Sequence, residues 1–292
     1  MTLSPIDAAF EGFRIIRDKP GLILVWTGFA LVCLGLMITV LLVGVLPRLA
    51  HLGPAPMVAE GGVRELADLT RRFGATAVLL VPIALVMSTM LTSAVFRVVL
   101  RPEERRGAHL RFGADELRLI AVNLIVMVCF SIIAAIYGVA IMQASHLVGA
   151  GGNLVTTLGL AGGAVLVVWA GIRLSLAPAM TFADRRIRLI GAWTFTHGHF
   201  WRLAGMWLMT LVFSFLIAVF SAAVALLVLK LFGGLDRIGQ IEAGGLTPTA
   251  AVAALAFVAI QLSLQMLQLV LLAVTAYAPP AAAYRSLKAP GR

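Results

Sequence analysis

Two arginines stand where a bilayer makes arginine expensive. Arg97 and Arg173 fall just inside the ends of long apolar runs, in VFRVVLRP and GIRLSLAP, each five residues before a proline. A guanidinium at that depth must snorkel, pair or line an aqueous cavity. Two readings follow. In one, the two arginines converge with Arg101, Arg185 and Arg186 on an anionic group such as a lipid phosphate, to which a planar guanidinium donates bidentately. In the other, both side chains reach the basic surface and help set topology.

Gln261, Gln265 and Gln268 are spaced by four and three, so they share one face of a helix. Amides in hydrocarbon seek partners, and an interhelical hydrogen bond contributes about 0.6 kcal/mol. This face is either the wall of a polar cavity or glue between helices or protomers. Asn123 and Gln143 are lone polar residues with the second role. His197 and His199 lie two apart, whereas a helical metal pair needs three or four. They read instead as part of an aromatic belt with Trp193, Phe195, Phe200 and Trp201. Glu103 and Glu104 beside Arg105 and Arg106, and Asp115 with Glu116, read as solvated ion pairs. None of the thirteen acids lies in the middle of an apolar run, which argues against an ordinary proton-driven antiporter. No nucleotide, hydrolase or metalloprotease signature is present, so no catalytic residue, metal or cofactor is expected.

The elements that carry these residues are membrane helices. Of 292 residues, 61% are hydrophobic and 12% charged, and the mean hydropathy is +1.02. Soluble domains are about a quarter charged. Six apolar runs, at about 21–46, 75–100, 119–145, 154–181, 203–231 and 248–278, are each long enough to cross a bilayer, which takes roughly 20 helical residues. None alternates as a barrel strand does. The first is too long for a signal peptide. Cys33 and Cys129 lie inside runs and read as small buried residues. The net charge is +10. Its cations cluster between the runs, which points to topology and anionic lipid rather than nucleic acid. With the N-terminus inside, seventeen of the 23 basic residues fall on the inner side. Both termini are therefore expected to be cytoplasmic, in a bacterial inner membrane. The longest outer loop, 47–74, contains an amphipathic stretch from Val63 to Phe73, read as a surface helix or a packed cap.

A weak three-fold repeat runs through the chain. Its units open with AFEGFRIIRDKPGLILV from Ala9, HLRFGADELRLIAVNLI from His109 and AWTFTHGHFWRLAGMWL from Ala192. Each is an amphipathic elbow bending into a span. The even-numbered spans close on proline: Arg97 before Pro102, Arg173 before Pro178, and Thr275 before Pro280, where the third copy lacks the arginine. Proline there terminates or kinks the helix. Gly162 and Gly163 point to close helix packing. The fold expected is an all-α integral membrane domain spanning 1–292, with six transmembrane helices in three hairpins, each introduced by a cytoplasmic elbow helix.

The block from Arg173 to Met209, with the RVVLRP segment, resembles bacterial six-span proteins related to the membrane domain of glycerophosphoryl diester phosphodiesterase. The resemblance implies a membrane bundle with lipid-related roles. It implies no hydrolase, because the phosphodiesterase activity of those enzymes belongs to a separate soluble barrel domain. The Arg97 and Arg173 pair, the basic elbows and the polar face of the sixth span, with no catalytic cluster, make the expected function non-enzymatic: binding or transport of an amphipathic anionic ligand, with membrane lipids as partners. The alternative is a scaffold that pairs with itself or with another membrane protein.

Overall fold

The computed structural model describes residues 4–50, 63–104, 106–148, 151–232 and 248–288. Residues 51–62, within the 47–74 segment expected as an outer loop, and Arg105 and Arg237 lie outside these. The described residues form α1 (Pro5–Asp18), α2 (Pro20–Ala50), α3 (Val63–Leu100), α4 (Ala114–Val148), α5 (Gly152–Leu174), α6 (Ala177–Asp184), α7 (Leu189–Phe195), α8 (Phe200–Leu231) and α9 (Pro248–Lys288), with a 3-10 turn at Arg106–His109. No strand occurs among them. Six segments are long and apolar enough to cross a membrane: Pro20–Gly44, Leu80–Leu100, Gly107–Val148, Gly152–Asp184, Phe200–Leu231 and Ala251–Lys288. The protein is an all-α, multi-pass membrane protein. Large apolar side chains such as Ile136, Val165 and Phe220 face outward along these segments, as a lipid-facing surface requires.

The chain divides into two compact units. One comprises residues 1–18, 92–215 and 273–292, the other 19–91 and 216–272. The first holds α1, the ends of α3 and α9, the start of α8, and all of α4 to α7. It therefore gathers most of the arginines. In it α1 lays Ala8, Ala9 and Ile15 inward, and Phe13 meets Phe213 edge-on with ring centroids 4.8 Å apart. α4 and α5 pack face to face. Gly159 and Gly163 stand four apart on α5, and a side chain at Gly163 would reach within 2.6 Å of the Tyr137 ring. The Tyr137 hydroxyl then donates to the Gly159 carbonyl at 3.0 Å. This is the small-residue spacing by which membrane helices approach closely, and the sequence reading of Gly162 and Gly163 missed it.

Several expectations need correction. The first and third elbows are separate helices, α1 and α7. The second is not: the stretch from Ala114 is simply the first turn of α4. Asp115 and Glu116 sit in that first turn, where acidic side chains stabilise a helix start, so nothing forces a break. The Val63–Phe73 stretch is likewise no separate surface helix, since α3 runs unbroken from Val63. Nor does the first helix stop where the 21–46 run does, since α2 continues to Ala50. Within the fourth span helix α5 ends at Leu174, before Pro178, and Pro178 lies in the first turn of a further short helix, where its missing N–H costs nothing. In α9, Pro279 and Pro280 lie inside the helix. Burial of Ala278, Ala281, Ala283 and Tyr284 holds those turns in place. Cys129 is exposed rather than buried.

Candidate functional site

The site region lies in the first unit and is built from the Arg-rich helix ends. Arg97, on the last turn of α3, is 4% exposed, and Glu116, on the first turn of α4, is fully buried. Arg97 Nη2 donates to Glu116 Oε1, and its Nη1 donates to the carbonyls of His109 at 2.7 Å and Arg111 at 3.3 Å. The His109 carbonyl is presented by an unusual turn: Gly107, Ala108 and His109 all have positive φ, at 62°, 51° and 65°. Only glycine adopts that region freely, so the chain tolerates local strain to satisfy the guanidinium. The expectation that Glu116 is solvated is thus overturned. A buried arginine without a counter-charge is costly, and Glu116 supplies it.

Arg101 continues the cluster. It donates to Asp115 Oδ2 at 3.0 Å and to the Phe182 carbonyl at 2.7 Å, and its guanidinium lies 4.7 Å from the Phe182 ring. Arg97 faces the same ring at 5.7 Å. Phe182 belongs to α6, so one aromatic ring and two arginines fix α3, α4 and α6 together. Asp115 also accepts from Arg118 at 2.7 Å.

A second cluster centres on Asp184, the last residue of α6. It accepts from Lys288 Nζ at 2.7 Å and the Tyr284 hydroxyl at 3.0 Å, and pairs with Arg188 Nε at 3.3 Å. Without these donors a carboxylate at a helix C-terminus would be repelled by the helix dipole. Beside it opens a cleft of about 500 Å³ lined by Met180, Asp184, Arg186, Arg188, Phe195, Tyr284 and Lys288. Its lining combines the apolar surfaces of Met180, Phe195 and Tyr284 with three cations against one acid.

Arg173 belongs to a third group. Its guanidinium lies 5.4 Å from the Trp169 ring and 5.5 Å from the Trp193 ring, and Nη1 is 3.2 Å from His197 Nδ1. Thr196 Oγ1 donates to the Arg173 carbonyl at 3.2 Å. This is an aromatic-belt setting for a cation, worth about 0.5–2 kcal/mol. The structure therefore brings Arg97 and Arg101 together, sets Arg185 on a cleft with Arg97 and Arg186 on the Asp184 cleft, and gives Arg173 a different set of partners. The convergence of Arg97 with Arg173 on one ligand is not what the geometry shows.

In the second unit Gln261, Gln265 and Gln268 do share a face. With Phe220, Ser221, Val224 and Ala225 of α8 they line a cleft of about 100 Å³. Gln261 Oε1 is buried there without a hydrogen bond.

Sequence reasoning missed Asp184, Arg188, Tyr284 and Lys288, whose meeting joins positions about a hundred residues apart. It also missed Glu116 as the partner of Arg97. The usable signal was energetic: an arginine inside a span gains from a carboxylate, and two acidic pairs follow Arg97 in the chain, Glu103–Glu104 and then Asp115–Glu116 at the start of the next span. Among the described residues no group of three or more His, Cys, Asp or Glu side chains could hold a metal. No family model, curated protein or solved structure matches the chain.

Proposed function

We propose that the chain is a non-enzymatic protein of the bacterial cytoplasmic membrane, with both termini inside, that binds or moves an amphipathic anionic ligand of the lipid kind. The observation that carries this reading is the cleft beside Asp184. Met180, Phe195 and the Tyr284 ring offer an apolar wall to a glycerol or acyl portion. Arg186, Arg188 and Lys288 offer charge to a phosphate. Arg188 and Lys288 already share Asp184, so the excess charge is met by an anion from outside. The inward bias of basic residues favours the same face, because the cytoplasmic leaflet is anionic. The resemblance of the Arg173–Met209 block adds a lean towards lipid roles.

Native mass spectrometry from phosphatidylglycerol nanodiscs tests this. Each cation near an anionic head group is worth about 1 kcal/mol. Replacing Arg186, Arg188 and Lys288 together by Gln is therefore expected to weaken lipid retention on the order of 100-fold. Arg186→Gln alone, which disturbs no internal ion pair, should cost about five-fold. Unchanged retention in both would contradict the reading.

A second reading, a scaffold or partner subunit, is favoured by one feature. Gln265 is exposed on the polar face of α9, and in hydrocarbon its amide gains from a second helix. A lipid-free homo-oligomer or hetero-complex in the same spectra would move the conclusion to that reading.

A further inference from the structure

A different cleft of the first unit, about 280 Å³, is lined by Arg97, Glu104, Arg111, Gly113, Ala114, Asp115, Glu116, Arg118 and Arg185. Most of its charges are used internally. Arg97 holds Glu116 Oε1, and Arg118 holds Asp115. Glu104 lies 3.9 Å from Arg97 and 3.8 Å from Arg101. Three polar groups are left over. Glu116 Oε2 is buried with no hydrogen-bond partner, although the residue is fully buried. It faces Gly113, also a lining residue, since a Cβ there would sit 3.6 Å from this oxygen. Arg111 and Arg185 are exposed and make no ion pair among the described residues. Arg185 is held in the left-handed region at φ 54°, a conformation that disfavours any residue with a Cβ, and it lines the cleft.

An orphaned carboxylate oxygen calls for an N–H donor, and two unpaired guanidiniums call for an anion. We propose that this cleft binds an aminoalkyl phosphate, its primary ammonium on Glu116 Oε2 and its phosphate on Arg111 and Arg185. The inference rests on the reading that the basic unit meets head groups, and it assigns this second cleft a zwitterionic one. Glu116 then has two tasks on its two oxygens: Oε1 compensates Arg97 and Oε2 selects the ligand. The same chemistry occurs in the head group of phosphatidylethanolamine and in free O-phosphoethanolamine.

The deciding contrast is between ammonium and trimethylammonium, because only the first has N–H groups to donate. In nanodiscs of phosphatidylglycerol doped equally with phosphatidylethanolamine and phosphatidylcholine, native mass spectrometry of the full chain should show the ethanolamine lipid retained at least about ten-fold over the choline lipid. Gly113→Val, which covers Oε2 and leaves the Arg97–Glu116 pair in place, should bring the two to parity. Arg111→Gln with Arg185→Gln should weaken both alike. Parity in the unaltered protein, as expected if only water meets Oε2, or a preference that survives Gly113→Val, overturns the assignment. Soluble O-phosphoethanolamine, added to phosphatidylglycerol-only nanodiscs with O-phosphocholine as control, separates the sources. Selective binding of the soluble compound supports the assignment with a free ligand. Selectivity among lipids alone supports it with a lipid. Replacing Arg186, Arg188 and Lys288 by Gln, residues that do not line this cleft, should weaken phosphatidylglycerol retention and leave the preference for ethanolamine over choline unchanged, so the two readings fail independently.

Discussion

Replacement of Glu116 by alanine is expected to destabilise the protein by about 3–5 kcal/mol, the cost of stranding a buried charge. Arg97 would keep the carbonyls of His109 and Arg111, the Phe182 ring and a long approach to Glu104, none of which compensates its charge at close range. Arg97→Ala should cost a similar amount, by orphaning the Glu116 carboxylate and by losing the Phe182 contact. The double replacement should cost much less than the two added together, because each single change pays mainly for the charge it leaves behind. Substitution by Met at 97 and Leu at 116, which fills the space without charge, should recover most of the stability. A double-mutant cycle followed by SDS unfolding in mixed micelles measures all four terms. Additive losses would show that the pair is not coupled and that Arg97 finds water.

The second large effect is expected at Gly12. A Cβ there would lie 3.0 Å from Thr275 Cα and 3.2 Å from the Val274 carbonyl of α9. Both are backbone atoms that cannot rotate away. Gly12→Ala should cost about 1–3 kcal/mol by overpacking, and Gly12→Leu should cost more, by lifting α1 off α9. Release of α1 would also break the Arg285 clasp. That side chain donates to Glu11 at 3.2 Å and to the Val99 carbonyl at 3.0 Å, tying α1, α3 and α9 together. Proteolysis at Arg14 or Arg17 in proteoliposomes reads this out. Faster cleavage of Gly12→Leu is the expected result, and an unchanged rate would show that α1 is not held by this contact.

The spans were legible because bilayer thickness sets a length that few other constraints mimic. The α1 and α7 elbows were legible for a similar reason: each is a short stretch of apolar and aromatic residues with a break before its span, α1 carrying Arg14 and Arg17 and α7 following Arg188. The second elbow failed because an amphipathic pattern says which face a helix buries and nothing about whether it stops. Asp115 and Glu116 look like solvated charges by composition, yet they begin a helix whose first turn is pressed against Arg97. Prolines misled in the same way. Pro178 marks a helix start, and Pro279 and Pro280 are carried inside a helix by the packing around them, which no local rule contains. Of the expected site residues, Arg97 and Arg101 meet around Phe182, while Arg173 is held by Trp169 and Trp193. That partition depends on where α6 and α7 fold back, and so on the left-handed turn at Arg185. Sequence spacing has no term for an arginine in a conformation that glycine would favour. The Gln face of α9 was readable because helical spacing alone defines it.

The most direct test of the central claim, that the basic unit holds an anionic lipid-like ligand, is covalent labelling in proteoliposomes with a phosphatidylglycerol analogue carrying a photoreactive head group. The account predicts label on the peptides around Met180–Arg188 and Tyr284–Lys288, lost when Arg186, Arg188 and Lys288 are replaced by Gln. Label spread evenly over the lipid-facing surfaces of α4, α5 and α8, and indifferent to those replacements, would contradict it.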